Sequence, residues 1–157
     1  ARSQLRDFDA VELRAMPTLF NNGLWRVVAR DADGNLAVAH VSTYVPASIT
    51  FATLPHARDP LAEAALASER GRLFRWFAMD LVSTAVERRE QGDAVVTLSD
   101  QRYGLITRPL ASPFRARAVF DAAGRLVSLE RLPRDQDPDI ALELRTLFRW
   151  LAGTPGH

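Results

Sequence analysis

At 157 residues the chain fits one domain and can bury a sizeable core, and its 47% apolar and 25% charged residues are those of an ordinary globular protein. Twenty arginines, with no lysine, face 19 acidic residues, so the formal charge is +1 and no basic run marks a nucleic-acid footprint. The lack of cysteine excludes disulfides, thiolate metal sites and a cysteine nucleophile, and no apolar stretch approaches the ~20 residues of a membrane span.

Leu5, Phe8 and Val11 recur at spacing three, which predicts a short amphipathic helix over 2–14 that Pro17 ends. From Leu24 to Val41 the pattern turns β-rich: "LWRVVAR", then "DADG", then "NLAVAHV". Asp31 and Gly34 frame a tight hairpin turn there, with glycine suited to positive φ. Residues 42–58, with Pro46 and Pro55, read as a loop or edge segment around "ITF".

A helix is expected from Asp59. Asp59 can cap it, Pro60 suits the first position, and Glu63 lies in the first turn where the helix dipole favours it. Ala62, Leu66, Leu73 and Phe77 would share its face. Gly71 marks either a break or a close approach, since glycine costs about 1 kcal/mol against alanine within a helix.

Residues 82–89 and 94–99 form a second hairpin around Gly92, and "FRARAVF" with "RLVSLERL" a third, joined by "DAAG". A last helix follows with Asp137 as cap and Pro138 first. Ile140, Leu144, Leu147 and Leu151 recur along it, and Gly153 stops it. "LFRW" occurs twice, each time late in a helix opened by Asp-Pro. "ARDADGNLAV" echoes "VFDAAGRLVS" as well. Duplication or repeated turn and cap chemistry would explain both, and unequal spacing favours the second.

Together these elements predict an α+β domain. Its antiparallel sheet has about five to seven strands built from hairpins, with two main helices on one face.

Chemistry-bearing residues are sparse. His40, His56 and His157 stand apart from one another and from carboxylates at ligand spacing, so no metal site can be drawn. "DADG" lacks the later ligands of a calcium loop. Asn21, Asn22, Trp25 and Arg26 concentrate unusual residue types at the mouth of a strand, as a binding loop or as an asparagine-glycine turn stapled to the sheet. Asp100 and Arg102, two apart, would share a strand face beside Tyr103, as a ligand site or as a surface ion pair. Trp76 and Trp150 fall off the main apolar faces and would serve a partner or a second copy if exposed.

"MPTLFNNGLWRVVARD", then "LFRWFAMD", then "VTLSDQRYG" resemble the C-terminal soluble region of the membrane-bound metal-dependent hydrolase family, predicted bacterial inner-membrane hydrolases. The matching positions are Pro17, Asn21, Trp25, Arg26, Val27, Val28, Phe77, Asp100, Arg102, Tyr103 and Gly104, over roughly 16–120. The family's metal-binding histidines lie in a transmembrane half that has no counterpart here.

The resemblance therefore implies a soluble accessory domain, 1–157, excised from a longer inner-membrane protein. Residues 1–15 would be a juxtamembrane segment and 16–157 the core. It implies no catalytic residue in this chain, a divalent metal only in the parent, and the parent's transmembrane half as partner and membrane link. A small-ligand module using Trp25, Asp100, Arg102 and Tyr103 is the alternative, and a homo-oligomer or partner-binding domain is a third.

Overall fold

The computed structural model describes residues 8–18, 22–44, 51–133 and 139–152. Four antiparallel strands, β1 (Ala10–Pro17), β2 (Leu24–Asp31), β3 (Leu36–Ser42) and β4 (Ala52–Leu54), form one sheet in sequence order. Two helices follow, α1 (Pro60–Ala67) and α2 (Glu69–Phe77). A second four-stranded sheet, again in sequence order, holds β5 (Val82–Arg88), β6 (Ala94–Asp100), β7 (Arg115–Phe120) and β8 (Leu126–Arg131). Helix α3 (Ile140–Leu151) closes the described chain. The fold is α+β, with antiparallel sheets built from hairpins as expected, and the eight strands among the described residues divide equally between the two sheets.

The three expected hairpins are β2–β3, β5–β6 and β7–β8. Their turns carry Gly34, Gly92 and Gly124 at φ of 86°, 85° and 74°, a region costly for a side chain. Asp31 also fixes its turn by accepting from the Asn35 amide at 2.8 Å, and Asp121 repeats this with the Arg125 amide at 2.9 Å. The echo between these segments is turn chemistry reused.

The expected helix over 2–14 is corrected: residues 10–17 are an edge strand, and 2–7 lie outside the described residues. Its charged positions suit the edge, because Glu12 accepts from Arg14 at 2.5 Å and from Arg30 on β2 at 2.6 Å. Charged side chains protect an edge from further pairing. The expected edge segment of 42–58 appears as β4, while 45–50 lie outside the described residues.

Asp59 caps α1 by accepting from the Leu61 amide at 2.8 Å. Helix break and close approach both occur, but at different residues. Ser68 ends α1 and caps α2, accepting from the Gly71 amide at 3.0 Å. A Cβ on Gly71 would overlap the Ala65 carbonyl oxygen. This break corrects the shared face, because it resets the helical phase. Ala62 and Leu66 are buried, whereas Leu73 and Phe77 face solvent. Asp139 caps α3 from a position two residues beyond the expected Asp137, which lies outside the described residues with Pro138 and Gly153.

Each sheet has its own core. Helix α1 lays Ala62, Ala65 and Leu66 over Val96, Leu98, Ala118 and Phe120 of the second sheet. The first sheet buries Val28, Leu36 and Val38 on one face, against Leu81. Its other face buries Ala29 and Ala37 under Phe8, Leu13 and Phe51. Leu81 is thus an apolar link between the sheets: it directly precedes β5 yet packs into the core of β2 and β3. Met79 and Asp80, at φ of 53° and 60°, turn the chain sharply to place it there.

Candidate functional site

Among the described residues, the buried polar side chains are Arg26, His40, Asp100, Gln101 and Ser112. They form one cluster where the end of β6 meets β2. Arg26 and Val28 alternate on the same face of β2, so the arginine extends beside the Leu81 plug toward the second sheet. Its Nε donates to the Gln101 carbonyl at 2.9 Å and its Nη2 to Gln101 Oε1 at 3.2 Å. Gln101 is held in turn: its amide donates to the Leu81 carbonyl at 2.8 Å, and its Nε2 to Ser83 Oγ at 2.8 Å. The polar and apolar links between the sheets are therefore one backbone hydrogen bond apart.

Asp100 is fully buried and faces Arg102, whose Nε and Nη2 reach its two oxygens at 3.1 and 2.7 Å. Asp100 also accepts from the Arg102 amide at 3.0 Å. The two-residue spacing does bring this pair together, but the expectation of a surface ion pair is corrected, because the carboxylate has no solvent contact. These hydrogen bonds raise the Arg102 pKa above its ordinary value. The guanidinium also lies over the rings of Phe77, at 4.7 Å, and Tyr103, at 5.1 Å, while Tyr103 meets Phe114 edge-on at 5.1 Å. Ser112 ties the loop back by donating to the Asp100 carbonyl at 2.6 Å.

Burial brings the Arg26 pKa down to about 10, against the opposing pull of Asp100. His40 pairs with Arg26 across β2–β3. Its pKa falls to about 4, first through desolvation and then through the Arg26 charge, so the imidazole is neutral at pH 7. Arg26 Nη1 and His40 Nε2 are buried without hydrogen-bond partners. Gly104 completes the packing: a Cβ there would lie 2.6 Å from Arg26 Nη1 and 2.7 Å from the Pro109 carbonyl oxygen.

Of the sequence-derived candidates, Arg26, Asp100, Arg102 and Tyr103 come together. Trp25 alternates to the opposite face of β2 and donates to the Asn22 carbonyl at 2.9 Å within its own turn. Asn22 is exposed, and Asn21 lies outside the described residues. Trp76 is exposed, whereas Trp150 is half-buried. Gln101, Ser112 and Leu81 were not singled out. Gln101 and Arg102 lie just beyond β6, in a turn, where strand alternation gives no signal.

The residues present do not fit the metal that the resemblance implies for the parent. Among the described residues there is no group of three or more His, Cys, Asp or Glu able to hold one, and the guanidinium beside His40 would repel a cation. His56 is engaged locally, its amide donating to Asn35 Oδ1 at 2.8 Å and its ring facing Glu63 at 3.2 Å. No described helix is long and apolar enough to cross a membrane. Comparison with protein families, with curated proteins and with solved structures gives no match.

Proposed function

We propose that this chain is an accessory domain of a membrane-bound metal-dependent hydrolase. Its parent would lie in a bacterial inner membrane and carry a divalent metal in a transmembrane half, which is this domain's partner. One observation carries the reading: of the two blocks behind the resemblance, Arg26 from the first bonds Gln101, the intervening position of Asp100-x-Arg102-Tyr103-Gly104, and Gly104 packs against its guanidinium. Asp100 is occupied by Arg102, and Arg26 holds Gln101 through Nε and Nη2. A general base or nucleophile has to reach a substrate, and these groups face inward. Such a cluster suits a joint that fixes a domain's shape more than a reacting centre.

The small-ligand alternative draws less support. Trp25 lies across the sheet from Arg26, so these side chains do not share one face.

Incubating the chain with zinc or manganese, removing excess metal and assaying ester and phosphoester hydrolysis tests the proposal. The expected result is sub-stoichiometric metal and no turnover. One tightly held metal per chain, with turnover, would place a hydrolytic centre here and end the accessory reading.

A further inference from the structure

Arg26 holds a positive charge in the joint that no carboxylate among the described residues neutralises. The residue is 2% exposed, and its Nε and Nη2 bond neutral oxygens of Gln101. Asp100 stands near enough to act on that charge, yet both of its oxygens are taken by Arg102. The third guanidinium nitrogen, Nη1, is buried without a partner. His40 is the cross-strand neighbour of Arg26 on the same face, 6% exposed, and its Nε2 is likewise buried and unpartnered. A neutral imidazole with its proton on Nε2 donates there. A buried charge costs several kcal/mol unless it is paired. Two donors on one face, with a single positive charge between them, fit a singly charged oxyanion, and a guanidinium suits the planar carboxylate best.

The roof over these atoms is a loop with fixed ends and a tied middle. Residues 101–114 join β6 to β7. The Asp100–Arg102 bonds fix the start, and Ser112, donating to the Asp100 carbonyl, fixes the end. Between them Gly104 lies against Arg26 Nη1, with the Pro109 carbonyl beside it. The Ile106 amide donates to the Glu143 carboxylate at 2.7 Å and the Thr107 amide at 3.3 Å, and the Thr107 hydroxyl donates to it as well. Glu143 belongs to a half-buried stripe of α3 that continues through Thr146, Leu147, Trp150 and Leu151, the spacing of one helix face. No residue of α3 is fully buried. The clasp therefore comes from a lightly seated helix, and releasing it frees the stretch that covers Nη1.

We propose that Arg26 and His40 form a binding site for a small carboxylate, closed by residues 104–109 and clasped by Glu143 of α3. The anion enters as this stretch lifts, accepts from Nη1 and Nε2, and neutralises the buried cation. The site stands on these side chains and not on the hydrolase reading.

Titration of the 157-residue chain with sodium acetate tests it, followed by backbone amide shifts in NMR spectra and compared with sodium chloride at equal ionic strength. Acetate should move the amides of Arg26, His40, Gly104 and Ile106 saturably, with a dissociation constant on the order of 1 mM, and chloride should not. Glu143→Gln keeps the shape of the clasp but weakens it, so acetate should bind about tenfold more tightly because less affinity is lost to opening. Arg26→Met should abolish the saturable shifts. His40→Leu keeps the cation but removes a donor, and should weaken binding about tenfold. A cooperative urea transition certifies the fold of each variant, and if Arg26→Met fails that check the other two decide. Shifts that do not saturate, that chloride reproduces, or that survive Arg26→Met overturn the proposal. Affinity unchanged in either His40→Leu or Glu143→Gln overturns it as well. Metal content and hydrolysis do not enter these readouts, so the two proposals fail separately.

Discussion

Arg26 concentrates three opposing effects in one side chain. Its two hydrogen bonds satisfy the Gln101 acceptors, its burial penalises the cation, and Nη1 goes without a partner. Arg26→Met relieves the desolvation but orphans two buried acceptors, at about 1–3 kcal/mol each. The net expectation is a loss of about 2 kcal/mol in urea unfolding. Gly104→Ala should cost a similar ~2 kcal/mol by overpacking against Arg26 and the Pro109 carbonyl. That loss should shrink in part when Gly104→Ala is combined with Arg26→Met, since the guanidinium is then gone while the Pro109 carbonyl stays.

His40 gives a pH dependence with a definite sign. The folded state holds its pKa near 4, so the unfolded chain takes up the proton first as pH falls from about 6.5. Stability is therefore full above that range and declines toward pH 4, by about 3 kcal/mol for this group. Unfolding midpoints across that window should fall in the parent chain, and fall less in His40→Leu.

At the scale of elements, the break at Ser68 separates propensity from packing. Helix propensity alone predicts that Gly71→Ala gains about 1 kcal/mol. The new methyl would collide with the Ala65 carbonyl oxygen, so we expect a loss, visible as a lower melting temperature. Ser68→Ala should cost about 1 kcal/mol as a lost cap.

The hairpins were legible because their turns need glycine at positive φ, in two of them three residues after an aspartate that caps the loop. The Asp-Pro helix start was legible for the same local reason. Strand β1 was not, because its alternation, Val11-Glu12-Leu13-Arg14-Ala15, is short and follows residues spaced like a helix. Leu5, Phe8 and Val11 meanwhile mimic helical spacing. The phase break was equally hidden: Ser68 reads as an ordinary helix residue until its cap bonds are seen.

At the scale of the whole molecule, two sheets with separate cores act as one body only as far as their joint allows. That joint is Leu81 in the core of β2 and β3, with Arg26 on Gln101 beside it. Arg26, Asp100, Arg102 and Tyr103 were legible as candidates from residue type and spacing. Their role was not, because spacing within β6 says nothing of how deeply its end is buried or that β2 meets it. The pairing of residues 75 apart in sequence is a property of the assembled sheets.

Native-state hydrogen exchange shows whether these residues fasten the two sheets together. The amides of Val28 and Val38 report on the first sheet, and those of Val96 and Ala118 on the second. In the parent chain both sets should exchange with one common opening free energy. In Arg26→Met the first set should fall by about 2 kcal/mol and separate from the second. Unchanged exchange at all four amides would contradict the joint.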